Sequence, residues 1–440
     1  MSVEWITVLL LASLFALILM GLPLSFSLGA VGIIFTYIFM GPDMLFLLAS
    51  RTRSTLFIYV MVAVPLFMFM ANILDKVGLA DDLYHAFLLW MGPIRGGLAM
   101  GTILICTAMA AMSGVSAAGV LTMGVIAMPA MLKRKYQKSI VLGSITAGGA
   151  LGQLIPPSIL MVIYGGVAGV SVGKMFMGGL FPGLLMAGLF ILYIGIRSLI
   201  QKDLAPALPA EEREKIGIAE KLAALKAVVL PVLLIMGVLG SIFLGIATPT
   251  EAAAIGAGGS LICGLIRRKV TWEIVKQACF STLKSSCMVM WIMIGSLLFV
   301  SFYFGVGGAQ LVKDTLVGLE VNRWLILLTM QVVLLLLGCL MDPAGIVLLC
   351  TPLFLPVIKA LGFNPLWFGV LFIVNLEMAY LTPPFGYNLF YLKSVAPKNI
   401  TMGDIYASVW PFVLLQALTL GACMLFPDLI LWLPTKMLGN

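Results

Sequence analysis

The stretch Gly152-Gln-Leu-Ile-Pro-Pro-Ser158 has a counterpart later in the chain, Ala379-Tyr-Leu-Thr-Pro-Pro384. Both stretches lie within long apolar runs. Two consecutive prolines remove two backbone N–H donors and disfavour the α conformation of the residue before each proline. We therefore expect each run to form a helix that is broken around its Pro-Pro pair.

Other landmarks recur at the distance that separates the two Pro-Pro pairs, 227 residues. Ser54-Thr-Leu56 returns as Ser281-Thr-Leu283, and Pro129 corresponds to Pro356. The glycines that follow the same offset are Gly29 and Gly256, Gly32 and Gly259, and Gly78 and Gly305. A constant offset predicts an internal repeat, with repeat 1 over residues 1–200 and repeat 2 over residues 223–425.

Charges in the loops indicate how the two repeats are oriented. Repeat 1 carries Lys133-Arg-Lys135, whereas the corresponding residues 360–365 of repeat 2 are uncharged. Repeat 2 carries Arg267-Arg-Lys269, whereas residues 40–42 lack Lys and Arg. Cytoplasmic loops collect Lys and Arg, so the corresponding loops are predicted to lie on opposite sides of a membrane. The repeats are therefore predicted to be inverted, which is typical of secondary transporters with sites near the midplane.

The polar linker 201–222 contains several basic residues and is predicted to be cytoplasmic. Counting the spans back from the linker places the N-terminus on the extracytoplasmic side. No basic region precedes the first apolar helix, so we expect an uncleaved first span.

Composition excludes most other classes of protein. Of the 440 residues, 62% are hydrophobic and 10% are charged, with a mean hydropathy of +1.15. Soluble domains are roughly 45–50% apolar and about 25% charged, so the chain is predicted to be an all-α polytopic membrane protein. The net charge of +8 is explained by basic cytoplasmic loops, and no nucleic-acid partner is expected. A single histidine, His85, and the lack of catalytic motifs indicate that the chain is not an enzyme. Paired inverted hairpins favour a transporter over a channel.

Each repeat contains a second interruption ahead of its Pro-Pro pair. The tips Ser113-Gly-Val-Ser116 and Asp342-Pro-Ala-Gly345 each break an apolar run, and we expect a re-entrant helical hairpin at each. The resulting order is scaffold helices 1–95, hairpin about 96–132, broken helix about 139–166, linker 201–222, scaffold helices 223–324, hairpin about 325–359, broken helix about 366–392 and a C-terminal tail 426–440.

Unwound backbone frees carbonyl oxygens, which suit Na⁺. The first predicted cation site joins the tip residues to the carbonyls of the broken helix: Ser113, Gly114, Gly152, Ile155 and Pro157. The second, placed by the repeat, consists of Asp342, Ala379, Thr382 and Pro384. The alternative interpretation is that these residues only kink the helices and bind no ligand. The equal spacing of 28 residues from Pro129 to Pro157 and from Pro356 to Pro384 favours the functional interpretation.

Five further charged residues have two interpretations each. Asp342 either binds a ligand or caps a hairpin helix. Glu377 either supports the site or binds a proton. Glu251, which follows Thr-Pro-Thr, either has a functional role within the membrane or caps a helix, and the capping interpretation is favoured. Arg51 and Arg53 either dock a partner or extend toward the membrane interface from a helix end.

Three motifs together resemble the large membrane (M) subunit of TRAP transporters, the tripartite ATP-independent periplasmic transporters. These motifs are the Pro-Pro-Ser158 stretch, Leu381-Thr-Pro-Pro-Phe-Gly-Tyr-Asn388 and Ala247-Thr-Pro-Thr-Glu251. The resemblance covers nearly the whole chain. Many members of this family have Ser-Gly-Ser-Ser at the first tip, whereas this chain has Val115 at the third position.

The resemblance implies an elevator-type transporter in which a transport domain moves against a scaffold domain. It implies Na⁺ coupling, an organic anion as substrate, and the inner or cytoplasmic membrane of a bacterium (or archaeon) with its lipids. The implied partners are a small four-helix membrane (Q) subunit, expected as a separate chain, and an extracytoplasmic substrate-binding protein (P). Candidate substrate contacts are Ser116, Pro343, Asn375 and Asn388. A stand-alone symporter or antiporter with the same inverted-repeat architecture is the alternative.

Overall fold

The computed structural model describes residues 1–208, 217–318 and 321–438. All regular secondary structure within these ranges is helical. The helices of the first half are α1 Val3–Leu19, α2 Leu24–Met40, α3 Met44–Leu56, α4 Ala63–Lys76, α5 Leu79–Met91, α6 Gly97–Ser113, α7 Ser116–Lys133, α8 Lys138–Ala150, α9 Ile159–Ala168 and α10 Val172–Ile200. Two short 3₁₀ turns, Tyr59–Val62 and Leu151–Gln153, accompany them.

The second half continues the same architecture. Its helices are α11 Ile218–Phe243 (with a π turn at Met236–Gly240), α12 Pro249–Ile266, α13 Trp272–Gly305, α14 Gly308–Val317, α15 Arg323–Gly338, α16 Pro343–Ala360, α17 Pro365–Leu381, α18 Tyr387–Val395, α19 Met402–Leu425 and α20 Asp428–Leu438. Part of the predicted linker, 209–216, lies outside the described residues. α11 begins inside the predicted linker because the Ala, Leu and Lys residues of 219–226 are strong helix formers.

Eight helical stretches among the described residues are long and apolar enough to cross a bilayer. They are Tyr59–Lys76, Ser116–Lys133, Val172–Ile200, Ile218–Phe243, Pro249–Ile266, Trp272–Gly305, Pro343–Ala360 and Met402–Leu425. Large apolar side chains such as Phe46, Leu199 and Trp272 lie exposed on the surface, which is how lipid-facing side chains are placed. The prediction of an all-α polytopic membrane protein is confirmed.

Helix boundaries follow the 227-residue offset closely in the middle of each half. The first residues of α7 and α16 are 227 positions apart, and so are their last residues. The first residues of α8 and α17 are also 227 positions apart. The halves differ around α3 and α4, where the second half has the single helix α13. Pro65 lies in the first turn of α4, and its counterpart in α13 is Ile292. Proline suits the first turn of a helix, where its missing N–H loses no hydrogen bond, so Pro65 is compatible with the start of α4, although other prolines of the chain, such as Pro129 in α7, lie inside helices.

Helices from the two halves pack against each other in matching pairs. α2 packs against α13, and α12, its counterpart, packs against α4. α7 likewise packs against α18, while α16 packs against α9. Each hairpin therefore contacts the helix that follows the Pro-Pro pair of the other half, and this arrangement positions the site.

Candidate functional site

The tip of the first predicted hairpin is a short break between α6 and α7. α6 ends at Ser113 and α7 begins at Ser116, with Gly114 at φ +64° between them. A Cβ atom on Gly114 would lie 2.1 Å from the carbonyl oxygen of Pro157. Glycine alone adopts this left-handed conformation readily and lets the two backbones approach so closely. The tip therefore rests directly on the Pro-Pro segment of the broken helix.

The Pro-Pro segment separates α8 from α9. The 3₁₀ turn Leu151–Gln153 follows α8, and α9 starts only at Ile159. The Ser158 hydroxyl donates to the Gln153 carbonyl and accepts a hydrogen bond of 3.3 Å from the Met161 N–H. These bonds hold the unwound segment in one shape. The peptide bonds within both Pro-Pro pairs are cis.

Gly152 brings the start of the unwound segment against the same tip. A Cβ atom on Gly152 would lie 2.9 Å from the carbonyl of Val115 and 3.0 Å from the backbone nitrogen of Ser116. The side chain of Ile155 packs against α10. Among the described residues, no hydrogen bond reaches the main-chain carbonyl oxygens of Ile155 or Pro157. The segment therefore carries carbonyl oxygens with unused lone pairs beside the tip.

The oxygen atoms around the first tip are of the kind that could hold an alkali cation. The Ser113 hydroxyl accepts only a long hydrogen bond, 3.4 Å, from the Val115 N–H, so it has a lone pair to spare. Hydroxyl and unwound carbonyl oxygens are the ligands that Na⁺ uses in transporters. The structure brings four of the five predicted residues of the first site into one contact region, namely Ser113, Gly114, Gly152 and Pro157. Ile155 lies in the same segment.

Asp342 lies at the second tip, between α15 and α16. Its Oδ2 accepts hydrogen bonds from the N–H groups of Ala344 at 3.0 Å and Gly345 at 3.4 Å. This arrangement is an N-cap, with Pro343 as the first residue of α16. The other carboxylate oxygen makes no hydrogen bond within the described part of the chain. Asp342 therefore caps the helix with one oxygen and keeps the other available.

The remaining residues of the second predicted site are largely bonded within the protein. The Thr382 hydroxyl donates to the Met378 carbonyl at 2.7 Å, and the Thr382 N–H donates to the Ala379 carbonyl at 3.2 Å. The Pro384 carbonyl accepts from the Tyr406 hydroxyl at 3.0 Å. In the ranges that the structure describes, no hydrogen bond joins Asp342 to these residues, so the second set is assembled less completely than the first.

The polar candidate substrate contacts are hydrogen-bonded within the protein, between the two halves for Ser116 and Asn388 and within the second half for Asn375. The Ser116 hydroxyl donates to Asn388 Oδ1 at 2.6 Å, and Asn388 Nδ2 donates to the Thr146 carbonyl at 3.1 Å. Asn375 Nδ2 donates to the main-chain carbonyl and to Oε1 of Gln331, at 2.8 and 2.7 Å. These residues fix the hairpins against the broken helices. Pro343 lies beside Asp342 at the start of α16.

Next to the second tip lies a cavity of about 360 Å³. Asp342, Tyr387 and Tyr391 line it, together with residues 23–25, which precede and begin α2. The lining contains no Lys, Arg or His. The polar side chains of the lining are one carboxylate, two phenol groups and the Ser25 hydroxyl.

Sequence reasoning missed the pair Gln153 and Tyr380. Gln153 Nε2 donates to the Tyr380 hydroxyl at 3.1 Å, and the two residues are 227 positions apart. The offset itself is the signal that could have identified them. Glu251 forms a capping box with Thr248 at the start of α12, which agrees with the capping interpretation. Arg51 and Arg53 lie exposed on α3.

Comparisons with known proteins agree with this architecture. A family model described as the DctM component of the tripartite ATP-independent periplasmic transporters matches residues 11–429. The C4-dicarboxylate TRAP transporter large permease protein DctM of Pseudomonas aeruginosa is 32% identical over 409 residues, covering 93% of each chain. The ectoine TRAP transporter large permease protein TeaC of Halomonas elongata is 28% identical over 433 residues, covering 97% of this chain and 98% of that protein.

A solved structure is similar in fold. The YdaH transporter of Alcanivorax borkumensis superposes with a TM-score of 0.61 at 16% identity, covering 88% of this chain and 90% of that chain. The resemblance inferred from the motifs is confirmed by the family match, and that family consists of transport proteins rather than enzymes. The chain therefore belongs to the DctM family and is the large permease component of a tripartite ATP-independent periplasmic transporter.

Proposed function

We propose that the chain couples the entry of Na⁺ to the import of an organic anion by an elevator mechanism. The observation that carries this proposal is the contact between Gly114 and the Pro157 carbonyl. It joins a hairpin tip to an unwound helix at a point rich in unused oxygen atoms. A cation bound there, by Ser113, Gly114, Gly152, Ile155 and Pro157, would neutralise the charge repulsion between those oxygens and join tip and segment.

Inverted repeats are supported by the bond between Gln153 and Tyr380. Two equivalent residues of a twofold repeat contact each other only close to the symmetry axis. The matching helix pairs between the halves, α2 with α13 and α12 with α4, agree with the same axis. We propose that the axis lies in the membrane plane, with an extracytoplasmic N-terminus and the linker 201–222 in the cytoplasm of a bacterium or archaeon.

A division into scaffold and transport domains is supported by what each group of helices contacts. The hairpins and broken helices, α6 to α9 and α15 to α18, pack on one another and bond across the two halves through Ser116 and Asn388, and they meet α1 to α5 and α11 to α14 chiefly where α6 packs on α5 and α16 on α13. We propose that these elements move together as the transport domain. The helices α1 to α5 and α11 to α14 would then form the scaffold.

We propose a second Na⁺ site around Asp342, Ala379, Thr382 and Pro384. The available oxygen of Asp342 supports it, while the bonds already made by Thr382 and Pro384 mean that these groups would have to exchange partners when the ion binds. Ser116, Pro343, Asn375 and Asn388 would frame the substrate between the two tips.

The tripartite family description supports a system with accessory components. We propose a small four-helix Q subunit and an extracytoplasmic binding protein P, which delivers the substrate. Relatives are named for C4-dicarboxylates and for ectoine, so an acid of similar size is the proposed substrate class.

Reconstitution tests the proposal. The chain is inserted into liposomes with its Q subunit and binding protein, and uptake of labelled succinate and ectoine is followed with an inward Na⁺ gradient. The proposal predicts saturable uptake that requires Na⁺ and all three components. Uptake by this chain alone would support the stand-alone symporter instead, and uptake that is indifferent to Na⁺ would refute coupling.

A further inference from the structure

A cavity of about 280 Å³ lies beside α1 and is lined by residues of α1, α13, α14, α15 and α16. Apart from Thr7, Tyr303 and Cys350, all of its lining side chains are Leu, Val, Met or Phe. The Thr7 hydroxyl donates to the Val3 carbonyl at 2.7 Å and lies 3.3 Å from the Tyr303 hydroxyl, so these two groups already have partners. Apolar cavities stay free of water and take up apolar molecules. The ligand that fits this cavity is therefore a hydrocarbon.

The cavity reaches the surface of the protein between α1 and α15. Leu11 and Val333 belong to its lining, and they are 40% and 39% exposed. Val8 and Leu336, on the same two helices, are exposed as well, whereas Leu14 in the interior of the cavity is buried. Exposed apolar side chains of helices in a bilayer face lipid tails, which are as apolar as leucine. The mouth of the cavity is thus placed where hydrocarbon chains surround the protein.

The corresponding place in the first half is held together by direct contacts. The Thr122 hydroxyl donates to the Asp75 carboxylate at 3.0 Å and joins α7 to α4. Their counterparts at the 227-residue offset, Leu349 and Phe302, have no such groups, and Leu349 lines the cavity. α11, which contains the counterpart of α1, packs on both α5 and α6, whereas α1 packs on α14, the counterpart of α5. The second half therefore has an apolar gap where the first half has a polar contact.

An empty gap of this kind is unfavourable, because the side chains around it lose dispersion contacts on one side. The volume of about 280 Å³ is roughly twice that of an apolar cavity of about 150 Å³ that binds benzene. It is large enough for several methylene groups. The hydrocarbon nearest to the mouth is the acyl chain of a membrane lipid, and such a chain regains the missing contacts when it enters.

The neighbouring helix α14 offers a place for the polar end of the same lipid. Its ten residues span about 15 Å, too little to cross a bilayer. Val312 and Leu316 pack against the core, whereas Gln310 and Asp314 are exposed and bonded to each other at 2.7 Å. An amphipathic helix of this kind lies along the membrane interface. Lys313, next to the cavity residue Val312, has no hydrogen-bond or ion-pair partner in the part of the chain that the structure describes, so its ammonium group is available for a phosphate.

We propose that this cavity binds a phospholipid, with one acyl chain between α1 and the second hairpin and with the phosphate at Lys313. The chain runs from α14 toward Met341, which lines the cavity next to the second tip. A mobile acyl chain gives way more easily than packed side chains, so it would let the second hairpin slide along α1. Lipid binding itself does not depend on Na⁺ coupling. Only the role in sliding rests on the proposed division into scaffold and transport domains.

Photochemical labelling of the full-length chain in liposomes tests the proposal. The liposomes contain phosphatidylglycerol whose acyl chain carries a diazirine at its end, and the labelled residues are mapped by mass spectrometry of peptides after irradiation. The lipid-facing surface is labelled in any case, so labelling of the exposed Leu19 on α1 serves as the reference. The readout is labelling of Leu10 and Leu14, which are buried and line the cavity. Both are expected to be labelled in wild type.

Two pairs of variants separate the site from the general surface. L11W places a large ring at the mouth and should lose the labelling of Leu10 and Leu14. L9W is its matched control, because Leu9 is an exposed residue of α1 outside the cavity lining, and it should keep that labelling. K313Q should raise the probe concentration for half-maximal labelling about fivefold, which corresponds to about 1 kcal/mol for one basic residue at an anionic surface. K436Q, at an exposed lysine of α20, should leave it unchanged.

Four results would overturn the proposal. Leu10 and Leu14 could stay unlabelled in wild type, or L11W could be labelled as strongly as L9W; either result would show that no acyl chain enters the cavity. Loss of the labelling when the small membrane subunit is added would show that a protein fills the cavity instead. Equal labelling by a diazirine fatty acid, with no effect of K313Q, would show that the site does not select a phospholipid. Because labelling needs neither Na⁺ nor transport, failure here is distinct from failure of the proposed coupling.

Discussion

Replacing Gly114 with alanine tests the contact between the first tip and the Pro-Pro segment. The new Cβ atom would lie 2.1 Å from the Pro157 carbonyl oxygen, closer than the 3.0 Å that real Cβ atoms keep. Tip and segment must therefore separate by about 0.9 Å, beyond the roughly 0.5 Å within which binding groups have to be held. The left-handed φ of +64° adds about 1–2 kcal/mol of backbone strain for alanine. We expect G114A to be less stable and to lose most of its response to Na⁺.

Gly169 offers a matched control for the strain alone. It has φ +67°, and a Cβ atom there would meet nothing within 4 Å. G169A should therefore lose about 1–2 kcal/mol of stability and keep the wild-type half-saturating Na⁺ concentration. The assay is the thermal unfolding midpoint of the purified chain against NaCl or choline chloride. If G114A retains the wild-type Na⁺ titration, the proposed ion does not bind between tip and segment.

Three further variants separate structural from functional roles. D342A should lose the N-cap of α16 and about 1 kcal/mol of stability, whereas D342N keeps the cap. If D342N is stable but shows reduced Na⁺-driven uptake, the other carboxylate oxygen binds ion or substrate. Normal uptake by D342N would mean that Asp342 serves only as a cap. S116A removes the donor to the buried Asn388 and should lower stability by about 1–3 kcal/mol, measured by denaturant unfolding; a change below about 0.5 kcal/mol would mean that this bond does not fasten the two halves. N364A is a control: it removes the side chain that accepts hydrogen bonds from the first N–H groups of α17. Its stability should fall by about 1 kcal/mol, while its half-saturating Na⁺ concentration stays unchanged. A changed half-saturating concentration would show that the assay responds to general destabilisation.

The parts of the structure that could be predicted from the sequence are those that the backbone chemistry of proline and glycine determines. A Pro-Pro pair cannot continue a helix, so the breaks after α8 and α17 follow from the sequence. Gly114 marks the first tip because only glycine combines a left-handed backbone with close contact. The 227-residue offset extends this reasoning from one half to the other.

Tertiary partners could not be predicted in this way. The sequence places oxygen atoms at Thr382 and Pro384, but only the fold shows that these atoms are already hydrogen-bonded to Met378 and Tyr406. The complete burial of Glu377 depends on how α17 packs against its neighbours, which no local pattern encodes.

Coupling to sodium is the central claim, and transport by the reconstituted three-component system tests it most directly. Uptake of labelled succinate or ectoine is measured with an inward Na⁺ gradient and with choline in place of Na⁺, for wild type and for G114A and G169A. The proposed mechanism predicts saturable, Na⁺-dependent uptake by wild type and G169A and its loss in G114A. Equal uptake in Na⁺ and in choline, by a system that needs all three components, would contradict it.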